Sequence, residues 1–265
     1  YAGSGGTYSS VAAGDLNGDG RLEVVCGANN GYVYAWHADS IAGGYAVYVA
    51  GFPVVTEADV VSSPLLADID GDGRDEVLVG SNDMKLHAWE VESGSVQLVE
   101  GFPVLLGQWV WTTPVALDSI IYALSGDGRL FKISSRGEIV WTVLPETMGP
   151  FRPSPSTTSS PVLGDVDRDE VLEIVVSTGT GDLYLVSTDG DVEWQVRIPD
   201  TSFYSSPALA DLDGDGYLDI LLAAGQKIYG FNSNGAALEG FPIDTKPKAD
   251  TIPIQSSPVI GDIDG

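Results

Sequence analysis

Short apolar runs alternate with turn residues along the chain. "PLLAD" at residues 64–68, "EVLVG" at 76–80 and "KLHAWE" at 85–90 are rich in β-branched and aromatic side chains and bounded by Gly, Asp and Asn. Such runs predict strands joined by tight turns. The order repeats: strand A, an acidic loop, strand B, a Gly/Asn turn, strand C, a second turn, then strand D ending in Gly-Phe-Pro-Val or Gly-Phe-Pro-Ile at residues 51–54, 101–104 and 240–243. Each unit opens on Ser-Ser-Pro or a near equivalent, at Ser9, Ser62, Thr112, Ser159, Ser205 and Ser256, and successive starts lie 53, 50, 47, 46 and 51 residues apart. That period fits a four-stranded propeller blade. The expected fold is therefore all-β: a β-propeller of four-stranded blades, with a metal loop between the first and second strands of most of them. Residues 1–265 would form a single propeller domain of five complete units and a sixth cut off inside its loop. Such a chain is expected to be part of a longer one whose full ring has six to eight blades.

Between strands A and B the pattern changes character. "DIDGDGRDE" at residues 68–76 places carboxylates at its first, third, fifth and ninth positions and glycine at its fourth and sixth. Like charge at this density repels itself unless a cation sits among it, and the glycines let the backbone wrap tightly around one. Oxygen donors without histidine or cysteine point to Ca²⁺. An EF-hand does not fit, because position twelve is Val79 and the flanks read as strands. The predicted site is Asp68, Asp70, Asp72 and Glu76 with the Arg74 carbonyl. "DLNGDGRLE" repeats it at Asp15, Asn17, Asp19 and Glu23 with Arg21; "DVDRDEVLE" at Asp165, Asp167, Asp169 and Glu173 with Val171; "DLDGDGYLD" at Asp211, Asp213, Asp215 and Asp219 with Tyr217. A sixth loop begins at Asp262 and Asp264. A single copy could equally be a solvated Asx-type turn, and it is the repetition that favours metal. Arg168 and Glu170 replace both glycines of the loop at Asp165, which leaves its turn and its metal binding open. Unit three replaces the loop with a tight turn near Asp118 and Ser119, so no site is expected there.

These loops, with their Ser-Ser-Pro lead-in and a "GxLYxW"-like third strand, resemble the calcium-binding FG-GAP (VCBS-like) β-propeller repeats of integrin α-chain heads and many secreted bacterial and archaeal proteins. The resemblance runs from about Ser9 to Gly265. The integrin tripeptides are only partly present, as in "CGAN" at residues 26–29, which favours the microbial branch. "GDLYLVSTDGDVEW" is similar, more distantly, to repeats of quinone-dependent dehydrogenase propellers. The resemblance implies a partner-binding face opposite the calcium loops.

Composition narrows the partners. The formal charge is −26, and the ligand positions of the loops hold 17 of the 38 acidic residues. Four bound Ca²⁺ would leave about −18, which still argues against nucleic acid and anionic membranes. No apolar run is long enough to span a membrane. Cys26, the single cysteine, is expected as a buried strand thiol, and "GSGG" at residues 3–6 as a linker. Calcium loops of this kind suit the millimolar levels outside cells, so an extracellular or cell-surface location is expected.

Strand order puts every acidic loop on one edge of its blade and the B-to-C and D-to-A connections on the other. The latter carry Trp109, Trp111, Phe151, Arg152, Phe203 and Tyr204, with Lys246 and Lys248, a mix that suits a sugar or an acidic peptide. The competing expectation for Trp109 and Trp111 is packing between blades. Trp36, Trp89, Trp141 and Trp194 are expected as blade core. No nucleophile elbow or zinc-protease pattern occurs, and the only histidines are His37 and His87. The expected function is a calcium-stabilised extracellular binding or adhesion module with a protein or polysaccharide ligand. The alternative is a rhamnogalacturonan lyase-like propeller enzyme, in which a base would remove the proton α to a uronate.

Overall fold

The computed structural model describes residues 6–143, 159–198, 205–245, 254 and 256–261. The chain divides into two compact units, residues 1–142 and 143–265. In the first unit, β1 (Ala12–Gly14), β2 (Glu23–Gly27), β3 (Tyr32–His37) and β4 (Val54–Val55) form one antiparallel sheet in chain order. A helical turn that the strand pattern does not foretell, α1 (Ala38–Ala42), sits between β3 and β4. The second sheet contains β5 (Leu65–Ala67), β6 (Glu76–Gly80), β7 (Lys85–Glu92), β8 (Ser95–Leu98) and β9 (Val104–Leu105); the third contains β10 (Val115–Leu117), β11 (Ile120–Leu124), β12 (Leu130–Ser134) and β13 (Ile139–Val143). The second unit has β14 (Val162–Gly164), β15 (Glu173–Ser177), β16 (Asp182–Ser187) and β17 (Val192–Arg197), then β18 (Ala208–Ala210), β19 (Asp219–Ala224), β20 (Lys227–Phe231) and β21 (Ile243–Asp244). No described helix is long and apolar enough to cross a membrane.

Strand alternation decides what each sheet buries. Val33 and Ala35 of β3 pack with Val77 and Val79 of β6 and with Trp89 and Val91 of β7, which fills the space between the first and second sheets. Leu78, Leu86 and Ala88 point the other way, onto Ile121, Ala123, Phe131 and Ile133 of the third. In the second unit Val175, Leu183 and Leu185 meet Ile220, Leu222 and Phe231. Each fully buried Val or Leu contributes roughly 1.5–3 kcal/mol. Of the four tryptophans expected in the core, Trp89 is buried. Trp36 is half-buried and stacks between Tyr34 and Tyr48. Trp141 and Trp194 are half-buried as well, because they lie on outer strands with one side to solvent. Cys26 is half-buried in β2, and burial raises its thiol pKa.

The repeated Ser-Ser start has two separate jobs. In the first five repeats the first residue is buried, and it bonds to the end of its own second strand: the Ser62 hydroxyl donates to Gly80 O (3.0 Å) and accepts from Gly80 N (2.8 Å), and Ser205 does the same with Ala223 (2.8 and 3.0 Å). Ser9 accepts from Gly27 N and Thr112 donates to Leu124 O. The second serine reaches the neighbouring repeat: Ser10 N donates to Ser63 Oγ (3.0 Å), Ser160 N to Ser206 Oγ (2.9 Å) and Ser206 N to Ser257 Oγ (2.9 Å). At the same edge a side chain on Gly80 would come within 2.4 Å of Val110 Cγ1, so the strand end must be glycine where the next repeat's chain crosses it.

Gly-Phe-Pro does not end the outer strand, as its position in the pattern implied. It interrupts that strand, through a cis Phe-Pro bond at Pro53, Pro103 and Pro242, with Gly51, Gly101 and Gly240 at positive φ. In the second repeat β8 pairs with the far half of β7 and β9, after Pro103, with its near half.

Candidate metal centres

Each acidic loop is built around its first carboxylate. Asp68 Oδ1 accepts from Gly71 N (2.7 Å) and Asp72 N (3.1 Å), and its Oδ2 from Gly73 N (2.9 Å). Asp15 and Asp211 take the same bonds from Gly18 and Gly20, and from Gly214 and Gly216. Burial pushes Asp15 upward, but the N–H groups of Gly20, Gly18, Asp19 and Asn17 together outweigh it and hold Asp15 below the ordinary carboxylate range. The wrap needs positive φ at positions four and six. Glycine supplies it at Gly71 and Gly73 (82° and 88°), and the loop at Asp165 keeps it with Arg168 and Glu170 (63° and 70°). The turn there is thus retained at a conformational cost rather than altered.

The second and ninth positions tie the loop to the body. Leu16, Ile69 and Val166 are fully buried, whereas Leu212 is partly exposed. The ninth residue opens strand B, is buried in all four loops, and accepts from the position-two N–H: Glu23 from Leu16 (3.0 Å), Glu76 from Ile69 (2.8 Å), Glu173 from Val166 (2.7 Å) and Asp219 from Leu212 (2.7 Å). Burial, then the neighbouring carboxylates, push Glu76 and Glu173 up to about 7 and raise Asp219. Asp219 Oδ1 is buried with no hydrogen-bond partner among the described residues. A buried, unpartnered carboxylate oxygen is costly unless something positive meets it.

Positions one, three and nine converge. One oxygen each of Asp68, Asp70 and Glu76 lie within 4.8 Å of one another, and so do those of Asp165, Asp167 and Glu173 and of Asp211, Asp213 and Asp219. Position five stands apart from these groups: Asp19, Asp72, Asp169 and Asp215 accept from the N–H of the seventh residues Arg21, Arg74, Val171 and Tyr217 (2.8–2.9 Å). Asp72 is also ion-paired with Arg74. The first loop forms no such group, since Asn17 replaces the carboxylate at position three and Glu23 Oε1 is taken by His37 Nδ1 (2.9 Å). Asp262 and Asp264 lie outside the described residues. The three converging sets are all oxygen, negatively charged and partly desolvated, a donor chemistry that fits a hard divalent cation.

Neighbouring loops also touch, which the sequence did not reveal. Asp75, the eighth residue of its loop, accepts from Asp15 N (3.0 Å) and donates its own N–H to Asp15 O (2.9 Å). In the second unit the Arg168 guanidinium lies over the Tyr217 ring at 5.8 Å. The signal in the sequence was Asp75 itself, an acid off the four repeated positions.

At the opposite edge Trp109 and Trp111 stack in parallel, and neither belongs to a hydrophobic core cluster. Phe151, Arg152, Phe203, Tyr204, Lys246 and Lys248 lie outside the described residues. His87 is 5% exposed and pairs with Asp83 (2.8 Å), while burial lowers its pKa.

The model of the FG-GAP-like repeat matches residues 15–79 and 165–222, which contain all four complete acidic loops. Over these two stretches the chain carries FG-GAP-like repeats. No curated protein sequence matches it. Among solved structures, BamB from Moraxella catarrhalis is similar at a TM-score of 0.60 and 13% identity, over 90% of this chain and 66% of that one. The biofilm matrix protein Bap1 from V. cholerae is similar at a TM-score of 0.61 and 18% identity, over 88% of this chain and 39% of that one. The chain thus spans only part of either protein's length. At these identities the likeness concerns the fold: successive four-stranded, propeller-like sheets.

Proposed function

We propose that this chain is a calcium-stabilised β-propeller module of an extracellular or cell-surface protein, which binds protein or polysaccharide and serves adhesion. The observation that carries this reading is the convergence of positions one, three and nine on a buried ninth carboxylate in three loops. Asp68, Asp70 and Glu76 would hold one cation, Asp165, Asp167 and Glu173 a second, and Asp211, Asp213 and Asp219 a third. A bound Ca²⁺ supplies the positive charge that lets the buried carboxylate ionise beside its neighbours. The loop tip is then fixed to strand B, and the propeller edge becomes a rigid scaffold for its other surface. Bap1 is a biofilm matrix protein, and its similarity supports an adhesive setting. The lyase alternative needs an accessible base, yet His87 is buried and His37 lies against Glu23 beside the first acidic loop.

Chelation followed by calorimetry and limited proteolysis tests the reading. Each site saturated at a hundredfold over its Kd is worth about 2.7 kcal/mol, so calcium removal is expected to lower Tm and expose the chain to protease. An unchanged Tm would end the proposal. Asp211→Ala is expected to remove one equivalent of bound metal, and an unchanged stoichiometry would count against the ligand assignment.

A further inference from the structure

The Trp109–Trp111 pair has no explanation in the fold or in the acidic loops. Three residues before the first three repeat starts, the fold uses a backbone carbonyl: Gly6 O accepts from Asn29 N (3.2 Å), Asp59 O from Asn82 N (2.9 Å) and Trp109 O from Gly126 N (2.7 Å). Glycine and aspartate serve there as well as tryptophan does, so the indole of Trp109 is not a demand of the architecture. The position two residues on is similarly free, being Tyr8, Val61 and Trp111.

What the indoles do is form a platform. Their rings are parallel within 5° with centroids 5.5 Å apart, and Trp109 is 47% exposed. The half-buried Trp111 anchors the stack by donating its Nε1–H to Asn82 Oδ1. An indole N–H can only donate, which fixes the orientation of the Asn82 amide and leaves its Nδ2 as a donor without a partner among the described residues. The amide of Gln108, next to Trp109, also makes no hydrogen bond to a described residue. The nearby cations are already neutralised: Arg129 by Asp127 (2.8 Å) and Lys85 by Glu57 (2.8 Å). The patch is aromatic, with the uncharged Asn82 amide against Trp111 and Gln108 beside Trp109 in the chain.

We propose that Trp109, seated on Trp111 and served by the amides of Asn82 and Gln108, is a stacking platform for a neutral pyranose unit of a glycan. The C–H face of the sugar covers the exposed indole and the amides meet its hydroxyls. Uronates are disfavoured, because no described cation there is unpaired and the chain carries −26. The inference rests on the binding-module reading and gives its ligand a chemical class.

The test is calorimetric titration of the calcium-loaded chain with cellohexaose and mannohexaose, and with trigalacturonate as the acidic counterpart. Saturable binding of a neutral hexasaccharide is expected, weakened about tenfold or more by Trp109→Ala and partly retained by Trp109→Phe, with thermal midpoints unchanged. Failure of both neutral probes to bind the folded protein would overturn the proposal. So would binding that Trp109→Ala leaves intact, or tighter binding of trigalacturonate. Stability indifferent to calcium would sink the metal reading without touching this one, so the two failures are separable.

Discussion

The ninth carboxylate of each acidic loop is where charge and burial conflict most sharply. Glu76 and Glu173 have an ordinary value of 4.5 and stand at about 7 in the metal-free fold. A carboxyl whose folded pKa lies above its unfolded one binds protons more tightly when folded, so metal-free stability falls as pH rises from about 4.5 to about 7 and then levels off. Calcium reverses the sign, because its ligands must be deprotonated. Urea denaturation in chelator at pH 5 and pH 7.5 checks the first half, and stability that rises over this interval would refute it. Glu76→Gln removes the charge while keeping an oxygen for the Ile69 N–H. The variant is expected to be as stable as the parent, or more so, in chelator at pH 7.5, and to lose part of the gain that calcium gives. If the glutamine costs stability equally with and without calcium, Glu76 is a packing residue and no ligand.

At the level of the repeat, the Ser-Ser-Pro start separates strength within a sheet from strength between sheets. Ser62→Ala strands the buried N–H and C=O of Gly80 and should cost about 2 kcal/mol. Ser63→Ala removes one acceptor from an exposed bond to Ser10 and should cost no more than about 1 kcal/mol. Chemical denaturation of the two variants measures the difference, and equal losses would contradict this division of labour. The repeat itself was legible because its signals are local: alternation sets the strands, and the one repeat without an acidic loop shows its two-residue turn at Asp118 and Ser119 directly. The three converging acidic sets were legible for the same reason, their members lying within nine residues. Features that depend on another repeat were not. Asp75 bonds across to Asp15 and Ser63 across to Ser10, and of these only Asp75, an acid off the repeated positions, leaves a mark within its own unit; within the first repeat, His37 withdraws Glu23 from the loop. The half-burial of Trp36 was hidden too, since its counterpart Trp89 gains a covering sheet that Trp36 lacks among the described residues of its unit.

Over the whole molecule a formal charge of −26 makes cation specificity the decisive question. Any salt screens diffuse repulsion, and at 0.1 M ionic strength the screening length is already about 10 Å. Sodium chloride should therefore raise the Tm of the chelated protein somewhat. A site with converged carboxylates does more, and does it selectively: calcium accepts six to eight oxygens in loose geometry, whereas magnesium demands near-octahedral ligands at short range and gives up its water reluctantly. Position five is turned to its own loop backbone, so each described set offers only three close carboxylates, and the missing ligands must come from carbonyls, from water or from rotation of that aspartate. Calcium tolerates this mixture and magnesium does not. Millimolar calcium is accordingly expected to raise Tm well beyond the same concentration of magnesium, at equal ionic strength and in the presence of 0.1 M sodium chloride. Equal effects of the two ions would mean that the loops respond to charge density alone, and the convergence of Asp211, Asp213 and Asp219 would then be an anionic patch tolerated for solubility.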